Sequence, residues 1–73
     1  MKFIEVTTIA TERKIHINVM LIAALEDHAT EDNSVIHLMG GSYWHVKETI
    51  SEIQKKIEKT EGIVFKYDQT GPR

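Results

Sequence analysis

Ser34-Val35-Ile36-His37-Leu38-Met39-Gly40-Gly41-Ser42-Tyr43-Trp44-His45-Val46-Lys47, running on into Glu48-Thr49-Ile50-Ser51-Glu52-Ile53, is the stretch whose reading decides the fold. Two β-forming runs flank Met39-Gly40-Gly41-Ser42, and adjacent glycines supply the positive φ angles that a tight hairpin needs. With Gly40 and Gly41 as the two turn residues, His37 faces Trp44, Val35 faces Val46, Leu38 faces Tyr43 and Ile36 faces His45. Both faces of such a hairpin carry apolar groups. That predicts cover on both sides, a helix on one and a further strand layer or a second subunit on the other.

The helix follows at once. Thr49-Ile50-Ser51-Glu52 fits a capping box, Ile50, Ile53 and Ile57 repeat at i, i+3 and i+7, and Gly62 stands where a C′ glycine ends a helix. The spacing predicts a helix over 50–61, with Gln54, Lys55, Lys56, Glu58 and Lys59 solvating its outer face. Beyond it, Ile63-Val64-Phe65-Lys66-Tyr67 is compact and β-forming, and residues 68–73 read as a tail.

Toward the N-terminus, residues 2–8 are rich in β-branched side chains, with Ile4 and Val6 on one side and Phe3, Glu5 and Thr7 on the other. Ala10-Thr11-Glu12-Arg13 reads as a turn. Lys14-Ile15-His16-Ile17-Asn18 alternates strictly and completes a hairpin with Ile15 and Ile17 inward. Next comes a short turn at Val19 to Leu21, then a strand from Ile22 to about His28 and a polar connection at Thr30-Glu31-Asp32-Asn33. The expected fold is α+β: a small twisted antiparallel β-meander of four or five strands, barrel-like at the limit of its twist, with one C-terminal helix. Residues 1–62 form the meander-plus-helix domain, and residues 63–73 are a β-prone segment and tail.

Composition narrows the function. The chain has 73 residues, 41% of them hydrophobic, which fits one small soluble domain. Without cysteine there is no disulfide framework, thiolate metal site or cysteine nucleophile. A net charge of -2 lacks the basic footprint of most autonomous nucleic-acid binders. The longest apolar run, Val19 to Leu25, is far short of the roughly 20 residues that span a bilayer, and Glu5 interrupts the start too early for a secretory signal. Cytoplasmic localisation is the expectation.

Four histidines invite a metal reading, but no two share a helical i, i+4 spacing, and in the register above His37 and His45 point to opposite faces. No metal and no cofactor is expected. Glu5, Glu26, Asp27, Glu48 and the histidines show no nucleophile-base-orienter spacing, so the reading is non-enzymatic. Lys55, Lys56 and Lys59, with Tyr43 and Trp44, keep a nucleic-acid module as the competing class, although Glu52, Glu58 and Glu61 interleave with the lysines. The candidate interaction surface comprises Tyr43, His45, Ile36, Leu38, Phe65 and Tyr67. One core of this size leaves little net stability, roughly 3–5 kcal/mol, so a homo-oligomer is expected, most simply a dimer. In it, residues 63–67 would add to the sheet edge of a partner, not to their own.

The string Ile17-Asn18-Val19-Met20-Leu21-Ile22-Ala23-Ala24-Leu25-Glu26, then Val35-Ile36-His37-Leu38, a glycine turn, and Val46-Lys47-Glu48-Thr49-Ile50-Ser51-Glu52-Ile53, resembles the small FlbD-like (SwrD) proteins. These are encoded among flagellar and swarming-motility genes. The resemblance runs from about Phe3 to Lys59; Val19 stands where that family usually has proline. It implies a non-enzymatic accessory role and carries over no catalytic residue. A weaker resemblance is to the LytTR-type DNA-binding domain, which shares the meander, glycine turn and helix but then carries a DNA-reading strand with a His-Arg-Ser motif, where this chain has Phe65-Lys66-Tyr67.

Overall fold

The computed structural model describes residues 2–28 and 32–61. The elements are β1 (Phe3–Thr7), β2 (Lys14–Asn18), a 3-10 turn (Val19–Leu21), β3 (Ile22–Asp27), β4 (Ser34–Leu38), β5 (Tyr43–Val46) and α1 (Ile50–Glu61). The architecture is α+β. β1 and β2 form a two-stranded antiparallel sheet and β3-β4-β5 a three-stranded one, and among the described residues the two do not close into a barrel. They meet where Thr8 bridges Val46: the Ile9 N–H donates to the His45 carbonyl at 3.0 Å and the Lys47 N–H to the Thr7 carbonyl at 2.8 Å. The expected segment 63–73 lies outside the described residues.

β1 and β2 take the faces that their alternation dictates. Ile4 and Val6 are buried while Phe3 and Glu5 are exposed, and Ile17 is buried opposite Ile4. Asn18 ends β2 by turning its side chain back, its Oδ1 accepting the Met20 N–H at 2.9 Å, which starts the 3-10 turn. β3 then needs a correction of parity. Ile22 and Leu25 are three residues apart, so a regular strand would place them on opposite faces. A β-bulge between Ile22 and Ala24 resets the alternation, Ile22 pairing with Leu38 and Leu25 with Ile36, and both join the core.

The expected register of the β4–β5 hairpin is corrected by one residue. Ser34 pairs with Val46, Val35 with His45, Ile36 with Trp44 and His37 with Tyr43. The loop has three residues, Met39, Gly40 and Gly41, closed by the Leu38 N–H donating to the Ser42 carbonyl at 2.8 Å. Both glycines have positive φ, 97° and 98°. One slip exchanges cross-strand partners: Ile36 and Val46, opposed to outward-facing partners in the expected register, now lie on one face, both 0% exposed. The second apolar face of the sequence reading thereby becomes a mostly polar one carrying Val35, His37, Tyr43 and His45.

The core is Ile4, Val6, Ile17, Ile36, Val46 and Ile53, so both sheets and the helix share it. α1 lies mainly against β1 and reaches β3. Its capping box is reciprocal: the Thr49 N–H donates to Glu52 Oε1 at 2.9 Å, and the Glu52 N–H to Thr49 Oγ1 at 3.2 Å. Two further bonds fix where the helix starts. The Glu48 carboxylate accepts the Thr7 N–H at 3.0 and 3.1 Å, and the fully buried Ser34 hydroxyl donates to the Glu48 carbonyl at 2.7 Å.

Candidate protein-interaction surface

Two exposed regions result from this fold, a polar aromatic face and an apolar end. The face belongs to the side of β3-β4-β5 turned away from the core. There, His37 stands opposite Tyr43, their ring centroids 6.0 Å apart at 46°, and its Nε2 lies 2.8 Å from Glu26 Oε1 on β3. An ionised carboxylate only accepts, so this nitrogen carries the proton. His45 stacks on His28, centroids 5.0 Å apart and planes within 11°, and its Nε2 bonds Asn33 Oδ1 at 2.8 Å. His37 and His45 therefore share a face, correcting the expectation that they oppose, and His37 partners Tyr43, not Trp44. His16 is elsewhere, on the outer face of β2 opposite Glu5.

The arrangement holds flat rings in place without enclosing anything. The His37 and Glu26 side chains are 41% and 62% exposed, so water screens the pair and its contribution stays under about 1 kcal/mol. Among the described residues, no three His, Asp or Glu side chains are grouped to hold a metal ion. The face offers rings for stacking and polar atoms for hydrogen bonding.

The apolar end is built where the 3-10 turn meets the β4–β5 loop. The Met39 N–H donates to the Leu21 carbonyl at 2.8 Å, and the Val19 N–H to the Lys2 carbonyl at 2.9 Å, while Phe3 pairs with Asn18. These bonds bring Phe3, Met20, Leu21 and Met39 to one end with all four exposed, Met20 at 74% and Met39 at 62%. Tyr43, 65% exposed, follows the same loop, with Trp44 at 41% beside it.

Of the residues expected at the interaction surface, Tyr43 is exposed and His45 is half-buried in its stack. Ile36 is fully buried and Leu38 packs against the core, because the slipped register turns both inward. Phe65 and Tyr67 lie outside the described residues. Sequence reasoning missed Phe3, Met20, Leu21 and Met39. The signal was there: methionine and leucine occupied turns, where the chain usually places polar residues. A third feature is an open groove of about 350 Å³ between β3 and α1, lined by Leu25, Gln54, Ile57 and Glu58.

Among the described residues no helix is long and apolar enough to cross a membrane. No protein family, curated protein or solved structure matches the chain.

Proposed function

We propose that this chain is a non-enzymatic protein-interaction module, an accessory or regulatory protein of the FlbD-like kind, acting in the cytoplasm and assembling as a homodimer. The observation that supports it is the apolar end. Four large apolar side chains exposed together on so small a domain are the usual mark of a protein contact. Met20 and Met39 are unbranched and polarisable, so they repack against varied surfaces, which suits the apolar stripe of an amphipathic helix. Tyr43 borders the patch and provides a rigid aromatic anchor with a polar tip.

The ring face gives the competing reading its one favourable observation, since bases stack on Tyr and His rings. Glu26 on that face and the net charge of -2 weigh against it. Photo-methionine incorporated in the native host places a cross-linker at Met20 and Met39. The expected product is one protein adduct, lost in the Met20→Ser/Met39→Ser variant and reproduced with the purified partner. Absence of protein adducts, together with DNA binding that falls steeply with salt, would replace this reading by the nucleic-acid one.

A further inference from the structure

Among the described residues β3 has a neighbour on one side only, β4. Its hydrogen bonds to β4 decide which backbone groups face the open side. The His28 N–H donates to the Asn33 carbonyl at 3.1 Å, and the Met39 N–H to the Leu21 carbonyl. In an antiparallel ladder bonded and non-bonded pairs alternate, so Glu26 and Ala24 turn their N–H and C=O groups toward Val35 and His37. The backbone groups of Leu25 and Asp27 then point away from the sheet. The same alternation on the other side of β4, where Leu38 bonds Ser42, agrees with this phase. An open strand edge with outward donors and acceptors is a template for an added strand.

The groove beside α1 lies along that edge. Leu25 supplies its β3 wall, and Gln54, Ile57 and Glu58 its helical wall. An added strand would therefore find backbone partners at Leu25 and Asp27, and an apolar slot for every second side chain between Leu25 and Ile57. We infer that this edge and groove receive residues 63–67 of a second copy of the chain, exchanged reciprocally across a two-fold axis.

Three observations select that occupant. First, Ile63-Val64-Phe65-Lys66-Tyr67 alternates so that Ile63, Phe65 and Tyr67 share one face and Val64 and Lys66 the other. With the apolar face in the groove, Lys66 falls on the sheet face that carries Glu26. Second, the lengths agree, since five extended residues span about 17 Å and the six of β3 about 20 Å. Third, in the sequence only Gly62 lies between Glu61, the last described residue of α1, and Ile63. A helix joined to a strand alongside it usually takes about 2–6 linking residues. So short a link favours exchange between copies over a return of the segment to its own groove. Burying Phe65 and Tyr67 twice over removes on the order of 600–1,000 Å² from water, about half of what a standard stable interface buries before the groove residues they cover are added.

This inference rests on the homodimer of the reading above but not on the apolar end, and the experiment separates the two. Light scattering after size exclusion and amide hydrogen exchange are measured on the full chain and on F65P, at tens of micromolar. In the added strand Phe65 shares the face of Leu25, so its loss removes the apolar anchor and, in an antiparallel pair, an inward N–H. The full chain is expected at twice its 8.4 kDa mass with the Leu25 and Asp27 amides protected. F65P is expected to be a monomer in which those two amides exchange at least about tenfold faster while the Glu26 amide is unchanged. A monomeric full chain overturns the inference, whether its edge amides are protected by its own segment or left open. A dimer that survives F65P overturns it as well; if that dimer is lost in Met20→Lys/Met39→Lys, self-association belongs to the apolar end.

Discussion

The two hairpins of this chain were built by different rules. In β1–β2 one face is apolar and the other polar, so any slip would drive Ile4, Val6 and Ile17 into water and strand Glu5 and His16 inside. Its turn is left to side-chain chemistry: the Thr8 and Thr11 hydroxyls bond each other at 2.7 Å, and Glu12 accepts a positive φ of 54°. In β4–β5 both faces tolerate either register, and the choice falls to contacts outside the hairpin. Ser34 reaches the Glu48 carbonyl, and Ile36 and Val46 meet the helix and β1 residues in one core. Alternation fixes a register where faces differ; where they do not, tertiary packing fixes it.

Six substitutions test that contrast, measured by urea denaturation. The largest effect is expected from Ile36→Ala, at about 2–5 kcal/mol, because the side chain is fully buried. Val35→Ala, on the other face, should cost less than half as much; the reverse order would mean that the faces are exchanged. Ser34→Ala leaves the Glu48 carbonyl without its buried partner and should cost about 1–3 kcal/mol. Next, Gly40→Ala and Gly41→Ala should each cost about 1–2 kcal/mol through φ alone. A Cβ at either meets nothing within 4 Å, so sterics with neighbours add nothing. The smallest effect is expected at the other turn. Glu12→Gly relieves a left-handed φ and loses an exposed pair with Lys47, so its stability should stay within about 0.5 kcal/mol of the parent. Equal losses at the two turns would erase the distinction between the hairpins.

The sequence was most readable where one local signal sufficed. The strict alternation of residues 14–18, the Asn18 side chain closing that strand, and the Thr49–Glu52 box each specify their element without help from the rest of the chain. The β4–β5 register was misread because the glycine pair suggested a two-residue turn, whereas the core called for three. The bulge at β3 was overlooked because Ala23 is small enough to be the extra residue unnoticed; the three-residue spacing of Ile22 and Leu25 was its signature. The candidate interaction surface shifted with the register. Ile36 and Leu38 turned inward, and Met39 left the ladder for the exposed loop, next to Leu21.

Everything proposed for the two exposed regions therefore depends on the β4–β5 register, which puts Met39 in the loop and His37, Tyr43 and His45 on one face. Through-space proton contacts in solution test it directly, because non-hydrogen-bonded antiparallel pairs bring their Cα atoms to about 4.5 Å and their Hα protons closer still. The account predicts Hα–Hα contacts joining His37 to Tyr43 and Val35 to His45. Contacts joining Val35 to Val46, or Ile36 to His45, would contradict it.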